Sequence, residues 1–124
     1  MRLKRDDRGA ALVEFALVLP ILMLFVFGII EFGRAYNARI ELTSAVREGA
    51  RAVALGSDGT VATKNGAPGL TSSKITVTQT ACAATPPPGA NATVQATYPF
   101  RYDIPLFGTG TWTLKAKGVM RCGG

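Results

Sequence analysis

Apolar and polar positions along this chain follow three rules in turn. Residues 10–30 form an apolar run in which Glu14 is the only ionisable side chain. Wound as a helix, that run is about 31 Å long, the thickness of a bilayer's hydrocarbon core. Charge returns at Glu31 and Arg34 and marks the exit. Beyond it, apolar positions recur every three to four residues, at Tyr36, Ile40, Val46, Ala50 and Val53, with Thr43 filling the register. This is the stripe of an amphipathic helix, and Arg39, Glu41, Arg47, Glu48 and Arg51 take its other side. Glu48 and Arg51 are spaced as an i,i+3 ion pair.

No proline stands between Pro20 and Pro68, and Gly56-Ser57-Asp58-Gly59 is a stop signal. One helix over residues 10–55 is therefore expected, about 69 Å long. Pro20 offers no N–H to the carbonyl of Ala16, so a kink or a looser turn is expected there. Gly28 adds to that looseness.

After the helix the period falls to two. Residues 56–73 are rich in Gly, Ser, Thr and Asn and read as a loop. Three strands are then expected, over residues 74–81, 93–98 and 111–120. Their apolar faces carry Ile75 and Val77, then Val94, Ala96 and Tyr98, then Trp112, Leu114, Ala116 and Met120. Pro86-Pro87-Pro88-Gly89 makes the first connection a stiff extended spacer. Asp103-Ile104-Pro105-Leu106-Phe107-Gly108 makes the second. The expected fold is α+β, a long N-terminal helix packed on a small antiparallel β-meander. Its segments are a basic leader over residues 1–9, a transmembrane helix over 10–32, an extracytoplasmic helix continuation over 33–55 and a small β domain over 56–124.

Charge sets the topology. The formal net charge is +6, and Arg2, Lys4, Arg5 and Arg8 precede the apolar run, partly offset by Asp6 and Asp7. A basic flank of this kind places the N-terminus in the cytoplasm and the rest of the chain outside. The remaining Lys and Arg are scattered, without the aromatic platform that single-stranded nucleic acid needs, so no nucleic-acid partner is expected. A cleaved secretory signal would have a shorter apolar core and a small-residue cleavage site, which Glu31-Phe32-Gly33-Arg34 does not offer. A buried helix of a soluble protein is the other rival, but the remaining chain is too small to cover it.

Cys82 and Cys122 both follow the apolar run and so fall outside the cytoplasm, where disulfides persist. A bridge would close a loop of about 40 residues, worth roughly 4 kcal/mol in chain entropy. Two free thiols are the alternative. Two Cys and no His do not make a usual zinc site, and the absence of His removes triad chemistry. Asp58 and Asp103 are the only acids after the helix, and both sit beside turn-forming residues. No cofactor, small-molecule substrate or enzymatic activity is expected. Asn91-Ala92-Thr93 matches a glycosylation sequon, which in a Thr-rich strand reads as coincidence.

The stretch with most functional content is Arg8-Gly9-Ala10-Ala11-Leu12-Val13-Glu14-Phe15. A small residue ends the basic leader, the apolar helix starts at once, and a carboxylate stands fifth from Ala10. A charge inside lipid costs a few kcal/mol unless paired. A cut after Gly9 would give Ala10 an α-amine about 6 Å along the axis from Glu14. The plainer alternative has Glu14 snorkelling to the headgroups.

Residues 8–51 resemble the TadE-like family of Flp (tight adherence) pilus assembly proteins. The likeness is carried by Arg8-Gly9-Ala10, Val13-Glu14-Phe15, Leu19-Pro20, Gly28 with Glu31-Phe32-Gly33-Arg34, and Arg47-Glu48-Gly49-Ala50-Arg51. Tyr98-Pro99-Phe100, Pro105-Leu106-Phe107-Gly108 and Met120-Arg121 resemble the family's tail more loosely. The resemblance implies a pseudopilin with a type IV pilin-like N-terminus in the bacterial cytoplasmic membrane. It implies a prepilin peptidase, an aspartic membrane protease, cutting between Gly9 and Ala10, with Glu14 as the motif acid. Its partners would be the lipid bilayer, that peptidase and other pilin or pseudopilin subunits. Its role would lie in pili that serve adhesion and biofilm formation. A signal-anchored extracytoplasmic binding module, never processed, is the competing reading.

Overall fold

The computed structural model describes residues 2–123, with side chains from Asp7 onward. Met1, Gly124 and the side chains of Arg2, Leu3, Lys4, Arg5 and Asp6 lie outside the described residues. The fold is α+β, as the periodicity predicts. Helix α1 spans Arg2–Ala54 and α2 Gly59–Asn65, a 3-10 turn covers Ser72–Lys74, and strands β1 Thr76–Thr80, β2 Asn91–Ile104 and β3 Gly108–Arg121 follow. The strands form one antiparallel sheet in the order β1-β2-β3.

Helix α1 has 53 residues, about 80 Å. It begins eight residues before the expected start, because Gly9 alone does not break it and the leader is otherwise rich in helix formers. It runs on through Pro20. Its end is a Schellman motif. Gly56 takes φ +83°, the Ser57 N–H donates to the Ala52 carbonyl at 2.8 Å, and the Gly56 N–H donates to the Val53 carbonyl at 3.0 Å.

The two halves of α1 have opposite surroundings. In its most apolar 18-residue window no residue is buried against the rest of the chain. The second half is packed on two sides and buries Ala35, Ala38, Leu42, Ala45, Val46, Ala50 and Val53. The expected stripe is corrected here. Tyr36 and Ile40 are 60% and 51% exposed, whereas Leu42 and the alanines are covered. The close approach is made over small residues, Leu42 and Val46 fill the space beside them, and Tyr36 and Ile40 fall outside the contact. Glu48 and Arg51, expected to pair, are both exposed and make no ion pair.

Residues 56–73, expected as a loop, contain α2. Its Gly and Thr content argues against a helix, but three contacts hold it. The Asp58 carboxylate caps it by accepting from the Thr60 N–H at 2.9 Å. The Gln79 side chain of β1 accepts the Gly59 N–H at 2.9 Å. The buried Thr63 hydroxyl donates to the Gly59 carbonyl at 2.6 Å. Helix α2 crosses α1 glycine to glycine. A Cβ on Gly49 would collide with Thr63 and stand 3.1 Å from the Gly59 carbonyl oxygen.

The sheet lies on another side of α1. Val94, Ala96, Tyr98 and Phe100 of β2 pair with Gly118, Ala116, Leu114 and Trp112 of β3, and one face of these pairs is turned to the helix. Gly118 is the point of closest approach, where a Cβ would run into the Val46 carbonyl. Strands β2 and β3 are longer than expected, with Ile104 facing Gly108 in the last pair. The alternation continues through Phe100, Tyr102 and Ile104, so the hairpin persists where turn residues suggested a loop. Strand β1 is shorter than expected, and Ile75 is buried just before it. The proline spacer ends in a turn, with the Ala90 N–H on the Pro87 carbonyl at 3.1 Å. Cys82 and Cys122 are joined by a disulfide, Cα to Cα 5.8 Å, which links the segments that follow the two edge strands β1 and β3.

Three outcomes check this packing. Gly49→Val should lower unfolding stability by about 2–4 kcal/mol through overpacking at the α2 crossing. Gly33→Ala, where an added Cβ meets nothing within 4 Å, should leave stability equal or raise it by about 0.5–1 kcal/mol. Thiol labelling before reduction should find no reactive Cys, and reduction should lower stability by as much as about 4 kcal/mol. Chemical unfolding in detergent reads all three.

Candidate functional site

Gly9, Ala10, Glu14 and Pro20 all lie on α1, and each is exposed. The sequence places them on one helix; nothing else among the described residues covers them. A Cβ added at Gly9 meets nothing within 4 Å. Among the described residues, therefore, no contact requires a small residue there. Ala10 and Glu14 are one turn apart on the same face, about 6 Å along the axis. Among the described residues Glu14 has no ion-pair partner. Leu12, Val13, Phe15 and Leu17 around it are 60–69% exposed. A carboxylate is thus set in a bare apolar surface. Ala11 and Ala16 add small side chains to that segment.

A second cluster sits where charge returns. Glu31 Oε1 accepts from Arg34 Nη1 at 2.7 Å, and its other oxygen faces the Asp103 N–H at 3.4 Å. The Arg34 guanidinium lies over the Phe100 ring, 5.4 Å from its centroid, close enough for a cation–π contact. One carboxylate therefore holds its own helix's arginine and the backbone of β2, binding the end of the hairpin to α1. Exposed Arg34 limits the ion pair to at most about 1 kcal/mol. An apolar cleft of about 250 Å³ beside it is lined by Gly28, Phe32, Ile104 and Trp112 among others.

Sequence reasoning singled out Glu31 and Arg34 as a boundary but missed their tie to Asp103, which lies 72 residues further on. No local signal carries that contact. It missed the packing role of Gly49 as well, although Arg47-Glu48-Gly49-Ala50-Arg51 was recognised as a block. A small residue within an otherwise helical stretch is the signal that was available. Asp58 and Asp103 are not brought together. Asp58 caps α2, beside the C-terminal end of α1, and Asp103 is at the opposite end of the sheet.

A family model described as TadE-like protein matches residues 9–51, about a third of the chain. That stretch is the apolar half of α1, Glu14 included, and its continuation as far as Arg51, so the likeness falls on the helix and stops short of the sheet. No curated protein matches the chain. No solved structure matches it either.

Glu31→Ala should cost little stability, about 0.5–1 kcal/mol, because its partners Arg34 and Asp103 are exposed. It should nonetheless speed amide exchange at Asp103 and in the neighbouring residues of β2. Unchanged exchange would show that the carboxylate does not hold the hairpin.

Proposed function

We propose, from the likeness of residues 9–51 to TadE-like proteins, that this chain is a pseudopilin-like subunit in the assembly of Flp (tight adherence, type IVb-like) pili. It crosses the bacterial cytoplasmic membrane once, through residues 10–32, with its N-terminus in the cytoplasm. Its work is structural: lateral association of membrane helices with other pilin or pseudopilin subunits. The observation that carries this reading is a helix whose apolar half nothing among the described residues covers, with one carboxylate set in it.

The chemistry follows from where that carboxylate sits. Charged Glu14 in lipid costs a few kcal/mol without a partner. A prepilin peptidase that cuts between Gly9 and Ala10 removes the basic leader and frees an α-amine one turn away. The amine pairs with Glu14 of its own chain or of a neighbour, and the second arrangement sets the register between subunits. Small side chains at Ala10, Ala11 and Ala16 let helices approach closely near the cytoplasmic face. Pro20 leaves the Ala16 carbonyl without its helical donor and so permits a bend during packing. Beyond the lipid, Tyr36 and Ile40 remain exposed on α1 and extend the apolar surface available to a neighbour.

Co-expression with a prepilin peptidase, followed by intact mass and N-terminal sequencing, tests the reading. The mature chain should start at Ala10, and Gly9→Leu should abolish the cut while leaving the fold intact. A start at Met1 under those conditions would favour the anchored binding module instead. Glu14→Ala should weaken co-purification of two differently tagged copies. Loss of about 2 kcal/mol corresponds to roughly a thirtyfold drop in association.

A further inference from the structure

The β2–β3 hairpin runs back along α1 toward its apolar half. At one end the Gly123 N–H faces the Ala54 carbonyl; at the other the Asp103 N–H faces Glu31. Strand β2 covers about 43 Å from Asn91 to Ile104 at 3.3 Å per residue. Helix α1 covers about 39 Å from Ala54 back to Gly28. Ile104 accordingly reaches Gly28, and both line the same cleft. Pro105, Leu106 and Phe107 continue about one helical turn further, alongside residues that belong to the apolar run.

The composition of this tip fits that position. Leu106 and Phe107 are 89% and 71% exposed, and residues 104–114 contain no ionisable side chain. The last charge before the tip, Asp103, is hydrogen-bonded through its backbone to Glu31, the first charge after the apolar run. The polar-to-apolar boundaries of hairpin and helix are therefore level. Trp112 and Tyr102 stand just behind the tip, beside Phe32, in the pattern of an interfacial aromatic belt.

The turn adds an independent observation. The Phe107 N–H donates to the Ile104 carbonyl at 3.1 Å, with Pro105 next and Leu106 at φ +76°. This is a type II turn, whose third position calls for Gly or Asn. The Pro87-to-Ala90 turn has the same form and supplies Gly89 there, at φ +83°. At the hairpin tip the chain keeps a leucine in a strained conformation and leaves its side chain outside the fold. Strain retained at an exposed apolar residue points to a use beyond folding.

We infer that the hairpin tip Pro105-Leu106-Phe107 dips into the leaflet through which α1 leaves the membrane, giving the domain a second, shallow lipid contact. This fixes the sheet's height and rotation above the bilayer. It rests on the reading of residues 10–30 as a membrane span. The bilayer is preferred to a neighbouring protein because the tip is continuous in level with the apolar half of α1.

Trp112 is the only tryptophan, so the reporter can be moved. The full chain carrying Trp112→Phe with either Phe107→Trp or Leu17→Trp is placed in phosphatidylcholine vesicles. The acyl chains are brominated near the headgroup or near their middle. The tip reporter should emit at blue-shifted wavelength and be quenched most by the shallow bromines, and the reporter at position 17 most by the deep ones. Water-like, unquenched emission from the tip, with position 17 still quenched, overturns the inference and leaves the span in place. Blue-shifted emission from the tip that neither lipid quenches means that protein covers it, and also overturns the inference. Absence of quenching at both positions removes the span and the inference together.

Discussion

The close seating of β3 and α2 on the second half of α1 is the constraint from which the rest of the structure follows. Gly118 lets a strand reach the Val46 carbonyl, and Gly49 lets a second helix reach the first. Between these contacts Leu42, Val46, Val94 and Thr63 are fully buried. A chain of this size has little apolar material for a core. Backbone-to-backbone approach makes that material sufficient by removing voids, and the disulfide fastens the sheet at the end away from Glu31.

The same economy of burial explains why α1 is bare over its first half. The sheet extends only as far as Gly28 and Glu31 along it, and α2 packs further back, at Gly49 and Val53. The helix therefore has two surfaces with different requirements. One is satisfied within the chain by small side chains and a sheet. The other, apolar and carrying a single carboxylate, is satisfied by nothing among the described residues. The functional reading proposed above assigns lipid and neighbouring helices to that surface. Glu31 stands where the two meet, joined to Arg34 and to the backbone of Asp103.

Legibility varied with the range of the interaction. The apolar run, the alternation of three strands and the stop at Gly56 are local patterns, and each was read close to its place, except that β2 runs six residues past its expected end. The inward faces of β2 and β3 were read as well, because period two assigns them without knowledge of the partner. The stripe on α1 was misread at Tyr36 and Ile40, since size was taken as the sign of burial. In this packing the alanines share the contact with Leu42, Val46 and Val53. Helix α2 was missed because its own propensity is poor, and its supports at Gln79 and Gly49 are distant in sequence.

What the sequence determined by itself is therefore the long helix and the three strands, the apolar run with Glu14 inside it, and the segment that resembles TadE-like proteins. Periodicity and composition are properties of neighbouring residues, and hydrogen bonds within one helix or between adjacent strands follow from them. Only the tertiary structure decided which face of α1 is covered, that Gly49 and Gly118 are points of contact, and that the hairpin tip reaches the level of the apolar run. Those outcomes depend on the distance between surfaces brought together from far apart in the chain. That distance is set by the smallest side chains on both sides at once.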